Sequence, residues 1–287
     1  MIASARLTGA VNSSSRVVFE PGQGSSQHGR QSFVADAVTA GSTMLLLQGT
    51  LPILLFTPQH DPLDHLHASE TKLTLKGGTN AEQAPQVDYT QNVFIPFLQK
   101  HFLPSEDAAD ADHGCETSAR VEMKLEKRGY YPKGGGVVHV HIKPLPPGKT
   151  LRPVNLRSRG RVISIRGIAH YAGLPTSIGT AIVRGALERL KADKIVSDDG
   201  TRIINDSTVD TCGSVDIEHR REPKATTTGA GSGIVLWAEL EGGGFIGGSA
   251  VGRKGIDPIH IGAQAADELI KSLNNGGCID EASALCS

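Results

Sequence analysis

Lysine and glycine stand together at two places in the chain where an anion could be bound. The string KGGTN (76–80) begins with a lysine, and the string RGYYPKGGG (128–136) places a lysine before three glycines. Glycines leave backbone N–H groups uncovered, and a neighbouring lysine adds a mobile cation, so both strings suit contact with phosphates. This chemistry predicts four polar or cationic contacts to phosphates, namely Lys76, Asn80, Arg128 and Lys133.

Short glycine motifs also occur in ordinary turns. For residues 77–85 (GGTNAEQAP) the plain alternative is a strand-to-helix turn whose glycines serve geometry alone. The string GAGSG (229–233) has the look of a phosphate loop, but it precedes a predicted strand and lacks a Gly-Lys-Ser/Thr ending. We therefore interpret residues 229–233 as a flexible surface loop.

Histidines and arginines with a period of two offer further chemistry. His139 and His141 would share one strand face and could ligate a metal, but no third ligand lies nearby in the sequence. We predict solvent-facing histidines there and no metal site. His260 falls in the first turn of the last predicted helix, where a surface role is expected. The alternating arginines within 157–161 would line one strand face, either as contacts to RNA phosphates or as a solvated face.

The elements around the two glycine strings follow from apolar spacing. A strand is predicted to end at the glycines of 73–80, and a helix follows with Pro85 in its first turn and a kink at Pro96. Residues 121–142 read as a hairpin whose turn is the second string. Hydroxyl groups in 39–42 would cap a buried helix that starts at residue 44.

The second half of the chain changes character after the Pro-rich residues 143–149, which we interpret as a linker. An amphipathic helix is predicted over 176–191, and two strands over 233–240 and 244–251. The last helix is capped at residue 257, with proline at its first position and Gly-Gly at its end. Residues 21–31 and the acidic stretch 104–118 read as loops.

Composition narrows the class of protein. The 287 residues carry a net charge of −1, which does not mark a nucleic-acid binder by itself, although local basic patches could act as one. The four cysteines show no CxxC spacing, which argues against a structural zinc site and a disulfide scaffold. We predict no secretory signal and no membrane span, because the longest apolar stretch is too short and is interrupted.

Two strings carry a specific family resemblance. KGGTNAEQAPQVDY (76–89), followed by RGYYPKGGG (128–136), resembles the paired signature of the RNA 3'-terminal phosphate cyclase family. TAGSTMLLLQ (39–48) and GGSAVGRKG (247–255) support it, and the matches run in family order from about residue 13 to residue 281. The YYPKGGG form of the turn favours the cyclase branch over the ribosome-biogenesis relatives of the same fold.

The resemblance implies a fold and a reaction. The fold would be α+β, with repeated modules of a four-stranded sheet and two helices plus a smaller inserted α/β domain. We place the core at 1–151, the insert at 152–250 and the return to the core at 251–287. The reaction would adenylylate a histidine with ATP and a divalent metal (Mg or Mn), pass AMP to an RNA 3'-phosphate, and form a 2',3'-cyclic phosphate. The positions that match family pocket residues, Gln48 and Pro85, would line the adenylate pocket.

The resemblance also marks departures. Family members carry an N-terminal Glu-Gly-Gly-Gly-Gln segment and, after the Asp-Glu pair that matches 280–281, a helix and the nucleophilic histidine. Because neither string has a counterpart here, we expect a family member truncated at both ends, with no catalytic histidine and defective catalysis. The expected partners are RNA 3'-ends and ATP, in the nucleus (nucleoplasm) or else the cytoplasm; the sequence does not indicate an oligomeric state. The alternatives are a non-catalytic ribosome-biogenesis factor of this fold, acting in pre-rRNA processing, and a small-molecule transferase such as an enolpyruvyl transferase.

Overall fold

A computed structural model describes residues 6–11, 13–20, 32–56, 59–61, 64–103, 119–146, 148–200, 203 and 213–280. Five α-helices occur in these residues: α1 (Thr43–Leu55), α2 (Val87–Tyr89), α3 (Ile95–His101), α4 (Thr176–Ala192) and α5 (Pro258–Asn274). Thirteen strands occur in the same part of the chain: β1 (Arg6–Thr8), β2 (Val18–Glu20), β3 (Ser32–Asp36), β4 (Gln59–Asp61), β5 (Asp64–Ser69), β6 (Thr71–Gly77), β7 (Arg120–Gly129), β8 (Gly136–Lys143), β9 (Val162–Ala172), β10 (Ser214–Arg221), β11 (Thr227–Thr228), β12 (Gly231–Leu240) and β13 (Phe245–Val251).

A five-stranded sheet, the first sheet, contains both glycine strings. Its strand order is β11-β7-β8-β6-β3, with β6, β7 and β8 antiparallel and the two outer strands parallel to their neighbours. Alternation along β6 and β8 buries one face, and helix α1 packs against it. The buried residues of this face include Leu73, Leu75, Val138, Val140 and Ile142. The predicted strand and hairpin are therefore confirmed.

Helix α1 begins where the hydroxyl groups predicted it. The Ser42 side chain accepts hydrogen bonds from the backbone N–H groups of Met44 and Leu45 at 3.2 and 3.3 Å. This cap satisfies donors that a helix start leaves unpaired. The helix carries no charged residue, and its outer face leaves Leu45 and Ile53 exposed.

The helix after the first glycine string differs from its prediction. It begins at Val87 with Gln86 as its N-cap, so Pro85 precedes the helix instead of lying in its first turn. Pro96 produces a π-helical turn over Thr90–Phe94 between α2 and α3. A proline cannot donate a hydrogen bond to the carbonyl four residues earlier, and the wider turn accommodates that missing donor.

A four-stranded sheet, the second sheet, follows in the order β10-β9-β12-β13. Helices α4 and α5 pack against each other and against this sheet, so the predicted amphipathic helix is confirmed. The helices approach closely because Gly262 of α5 lies against the carbonyl of Ile182: a Cβ atom there would come within 1.9 Å of that oxygen. Asp257 caps α5 as predicted, accepting from the N–H of Ile259 at 2.9 Å.

Two predictions for the second half were wrong. The arginines within 157–161 do not lie on a strand, since β9 begins at Val162. They lack the alternating apolar partners that make a strand face, and Arg159 and Arg161 instead bind the Leu273 carbonyl and Glu241. The string GAGSG is also not a surface loop, because β12 starts inside it and Gly233 packs under His170.

The structure confirms the α+β class. Strands β9, β10, β12 and β13 with helices α4 and α5 form one four-stranded sheet with two helices, whereas β11 from the same stretch of chain belongs to the first sheet. The repeated modules and the boundaries at 151/152 and 250/251 stay predictions. Helix α5, assigned from sequence to the returning core, packs on the second sheet. The predicted loops at 21–31 and 104–118, and the chain after residue 280, lie outside the described residues.

Candidate functional site

The two glycine strings, 76–80 and 128–136, meet the string TAGSTMLLLQ (39–48) at the start of helix α1. The N–H of Gly78 donates to the Gly41 carbonyl at 2.8 Å, and the N–H of Thr43 donates to the Gly78 carbonyl at 2.9 Å. A Cβ atom on Gly78 would lie 2.4 Å from the Ala40 carbonyl oxygen, and one on Gly134 would also overlap this loop. Glycine is therefore required at both positions by close backbone approach, and the strings are adjacent in space.

A narrow cleft lies between α1 and residues 85–94, which include α2 and the π-helical turn. It is lined by Met44, Leu47, Gln48, Pro85, Tyr89, Thr90 and Phe94. Nearly all of the surface that faces the cleft is apolar, and Gln48 is half-buried at its side. The structure thus brings together the two residues, Gln48 and Pro85, that the resemblance assigned to an adenylate pocket.

The predicted lysine contacts lie apart from this cleft. Lys76 projects from the outer face of the first sheet, opposite the face on which α1 packs, because its neighbour Leu75 points inward. Lys133 is exposed in the turn between β7 and β8, next to Gly134, which touches the loop before α1. Among the described residues, the lining of the cleft includes neither lysine.

The other two predicted contacts, Asn80 and Arg128, are buried and face inward. Arg128 is 1% exposed and forms a bidentate pair with Asp88, with N–O distances of 2.6 and 2.9 Å. It also bonds the Asn80 side-chain oxygen at 3.0 Å and Glu222 at 3.0 Å. Both residues have protein partners, so this structure does not support the prediction that they contact a phosphate directly.

A β-bulge explains why Arg128 points inward. On β7, Val121 and Leu125 share the buried face, so strict alternation would place residue 128 on the outer face. The register shifts between Leu125 and Lys127, which pairs Lys127 with the outward Val137 and turns Arg128 into the interior. The sequence pattern alone does not indicate this extra residue.

Arg128 belongs to a larger group of buried side chains, which we call the polar cluster. Its members come from both sheets and from the start of α2: Asn80, Gln86, Asp88, Arg128, Tyr130, His170 and Glu222. Gln86 also donates to the carbonyls of Ile234 and Ala250 at 3.1 and 3.2 Å. The cluster therefore ties α2 and β7 of the first sheet to β9, β12 and β13 of the second.

His170 has polar partners at both ring nitrogens. Nε2 lies 3.0 Å from the Gln86 side-chain oxygen and 3.2 Å from the Asn80 side-chain nitrogen, so it can donate to the first or accept from the second. Nδ1 lies 2.7 Å from the Tyr130 hydroxyl, which can donate or accept. A neutral imidazole satisfies the partners at both nitrogens.

Charge within the cluster follows from burial and pairing. Burial alone would raise the pKa of Asp88, but the adjacent Arg128 guanidinium outweighs it and holds that pKa well below its usual range. Burial, reinforced by Arg128, lowers the pKa of His170 to about 3, and burial raises the pKa of Tyr130 far above its usual value. The cluster thus holds a neutral histidine beside a charged pair at neutral pH.

Sequence reasoning missed most of the polar cluster. Asp88 and Tyr130 lie inside the two quoted strings, and a signal for Asp88 was available: a carboxylate between the apolar Val87 and Tyr89 must find a partner when the segment is buried. His170 gave no comparable signal, since it lies at the end of an apolar strand whose neighbours are far away in sequence.

The paired histidines lie on the outer face of the first sheet. His139 contacts Glu126 and lies 3.1 Å from the Thr74 hydroxyl, and His141 Nδ1 lies 3.3 Å from Glu70. In the described residues, no group of three or more His, Cys, Asp or Glu side chains is placed to hold a metal ion. None of the helices in that part of the chain has the length and apolarity needed to cross a bilayer.

Comparison with known proteins gives a consistent result. The family model described as RNA 3'-terminal phosphate cyclase matches residues 1–285. The chain is 31% identical over 280 residues to an RNA 3'-terminal phosphate cyclase of Pyrobaculum neutrophilum and 32% identical over 280 residues to one of Staphylothermus marinus; each alignment covers 98% of this chain. A probable RNA 3'-terminal phosphate cyclase of Dictyostelium discoideum is 30% identical over 279 residues, which is 96% of this chain.

These matches extend over the whole chain but not over the whole relative. The chain spans 65% of the length of the two archaeal relatives and 54% of the Dictyostelium protein. The family model nevertheless matches almost every residue, including both glycine strings, the cleft and the polar cluster. The chain belongs to the RNA 3'-terminal phosphate cyclase family.

Proposed function

We propose that the chain binds ATP in the cleft between α1 and α2 and acts in the cyclisation of RNA 3'-phosphates. The observation that carries this proposal is the meeting of Gln48 and Pro85 in one cleft beside the joined glycine strings. Met44 and Phe94 offer apolar contact to an adenine ring, and Gln48 lies beside them at the position that the family resemblance assigns to the adenylate pocket.

Phosphate contact is the less complete part of the proposed site. Of the two lysines predicted to contact phosphates, Lys133 is the better placed, because its turn touches the loop that precedes α1. Lys76 lies on the other face of the first sheet and stays a weaker candidate. A divalent cation would be bound mainly by the ATP phosphates, since the described residues supply no ligand group of their own.

The proposed reaction follows the family. ATP transfers AMP to a histidine with release of pyrophosphate, the AMP passes to the RNA 3'-phosphate, and the neighbouring 2'-hydroxyl attacks that phosphorus. AMP leaves, and a 2',3'-cyclic phosphate is formed.

Calorimetric titration of the purified chain with ATP and Mg²⁺ tests the binding step. Replacing Gln48 with alanine removes the amide, and we expect the affinity for ATP to fall about tenfold. The matched control is Gln99→Ala, which removes an amide from α3 that bonds the Val121 carbonyl and does not line the cleft. Equal affinities for the wild type and Gln48→Ala would contradict the proposed site.

A second titration separates the enzyme from its non-catalytic alternative. In filter binding with a 3'-phosphorylated RNA, a cyclase should bind the RNA more tightly when ATP is present. A ribosome-biogenesis factor of the same fold would bind RNA equally well without ATP. Nuclear localisation, predicted from eukaryotic family members, can be checked with a fluorescent fusion.

A further inference from the structure

The residues after helix α5 return to the neighbourhood of the cleft. Helix α5 ends at Asn274, and Ile279 then forms a parallel bridge with Phe245 at the start of β13. The next residue, Asp280, is the last one that the structure describes and is 5% exposed. A carboxylate is thus carried into the interior by a short non-helical segment.

In this position Asp280 accepts hydrogen bonds from a side chain and from the backbone. Its Oδ1 accepts from the hydroxyl of Tyr89 at 2.6 Å, and its Oδ2 accepts from the backbone N–H of Gly247 at 2.5 Å. These donors belong to different parts of the fold, since Tyr89 lies on α2 and Gly247 on β13. The carboxylate therefore joins the first sheet's helix to an edge strand of the second sheet.

Tyr89 connects this contact to the cleft, because it is one of the residues that line the cleft together with Gln48 and Pro85. It also lies directly over Gly247, where a Cβ atom would come within 2.4 Å of the ring. One face of Tyr89 is held by β13, its hydroxyl is held by Asp280, and the rest of the side chain is buried.

We propose that Asp280 is a positioning residue for the nucleotide cleft: it holds Tyr89 in the orientation that shapes the wall beside Gln48 and Pro85. This inference rests on the proposed function, because it assigns the cleft to ATP. Loss of the carboxylate would remove a hydrogen bond that orients the Tyr89 ring beside Val93 and Val235. The ring would then be held less firmly, so it would move and the cleft would change shape.

The chain contains a natural reporter of this arrangement. Trp237 is its single tryptophan and packs against the cluster formed by Tyr89, Val93 and Val235. A change in the position of the Tyr89 ring should alter the emission of Trp237. ATP binding in the cleft should alter it as well, which gives one signal for both effects.

The test compares three variants with the wild-type chain by ATP titration, followed by Trp237 emission. Asp280→Ala removes both hydrogen bonds, and we expect ATP affinity to fall about tenfold with a changed emission maximum. Asp280→Asn keeps both contacts, because its oxygen can accept from Gly247 and its amide can donate to the Tyr89 oxygen. We expect this variant to bind ATP within about threefold of the wild type.

A third variant controls for a general loss of stability. Asp257→Ala removes the N-cap of α5, which should lower stability by an amount comparable to Asp280→Ala without touching the cleft. We expect its melting temperature to fall and its ATP affinity to stay unchanged. If Asp280 had only a structural role, Asp280→Ala would lower the melting temperature and leave the ATP affinity unchanged, as we expect for Asp257→Ala.

The outcomes distinguish the inference from the function on which it rests. If the wild type binds ATP, Gln48→Ala weakens binding and Asp280→Ala does not, the positioning role is wrong and the nucleotide site stands. If Asp280→Ala and Asp257→Ala weaken binding equally, the positioning role is also wrong. If the wild type binds no ATP, both the site and the positioning role are wrong.

Discussion

Arg128 offers the sharpest test of the polar cluster. Its guanidinium is 1% exposed and is paired bidentately with Asp88, whose carboxylate would be left buried without a counter-ion in the variant Arg128→Met. Removing one partner of such a buried pair costs about 3–5 kcal/mol. We therefore expect the free energy of unfolding to fall by about that amount.

The measurement is urea unfolding followed by Trp237 fluorescence. Arg120 on the same strand is the matched control, because it pairs with Glu122 at the surface and its side chain is 68% exposed. Arg120→Met should change the free energy of unfolding by less than about 1 kcal/mol. The double variant Arg128→Met with Asp88→Asn should lose less free energy of unfolding than the two single variants lose together. The reason is that it no longer contains the unpaired carboxylate of Asp88. Equal small losses for Arg128→Met and Arg120→Met would refute the buried-pair account.

His170 adds a dependence on pH to the same cluster. Its pKa is lowered by burial and by Arg128 to about 3, whereas in the unfolded chain it titrates near its ordinary value of 6.5. Between these values the unfolded state binds one more proton, so stability must fall as the pH drops through this window. From pH 6.5 to pH 5 the loss from this group is about 2 kcal/mol. His170→Gln should lose this part of the pH dependence, and an unchanged slope in that variant would show that His170 is not buried in its neutral form.

Three further changes probe the packing. Gly262→Ala places a methyl group against the Ile182 carbonyl, so the melting temperature should fall by the equivalent of about 1–3 kcal/mol; an unchanged melting temperature would contradict the close approach of α4 and α5. Ser42→Ala removes the N-cap of α1 and should cost about 1 kcal/mol in urea unfolding, whereas no loss would mean that water replaces the cap. Leu45→Lys with Ile53→Lys places charges on the exposed apolar face of α1 and should reduce self-association in light scattering, with the stability of the chain unchanged.

Local patterns predicted the elements well where one physical rule dominates. The cap at Ser42, the hairpin around residues 128–136 and the start of α5 at Pro258 each depend on neighbours within a few residues. Propensity, capping and period-two burial are local effects, so the sequence expresses them directly. The α+β class was implied by the family resemblance.

Non-local features could not be predicted in this way. The bulge before Lys127 reverses the face of Arg128, and its presence depends on how β7 pairs with β8. The partner of Arg128 is Asp88, forty residues away, and that of His170 is Tyr130. Buried charges and histidines find their partners through the tertiary fold, so their residue types suggested phosphate contacts that the structure does not support for Asn80 and Arg128.

We propose that ATP occupies the cleft between α1 and residues 85–94. Photolabelling of the purified chain with an azido-adenine analogue of ATP, followed by peptide mapping, tests it most directly. We expect labelled peptides that contain residues 44–48 or 85–94, with labelling suppressed by unmodified ATP and weakened in Gln48→Ala. Labelling confined to other peptides, or labelling that ATP does not suppress, would contradict the assignment of this cleft.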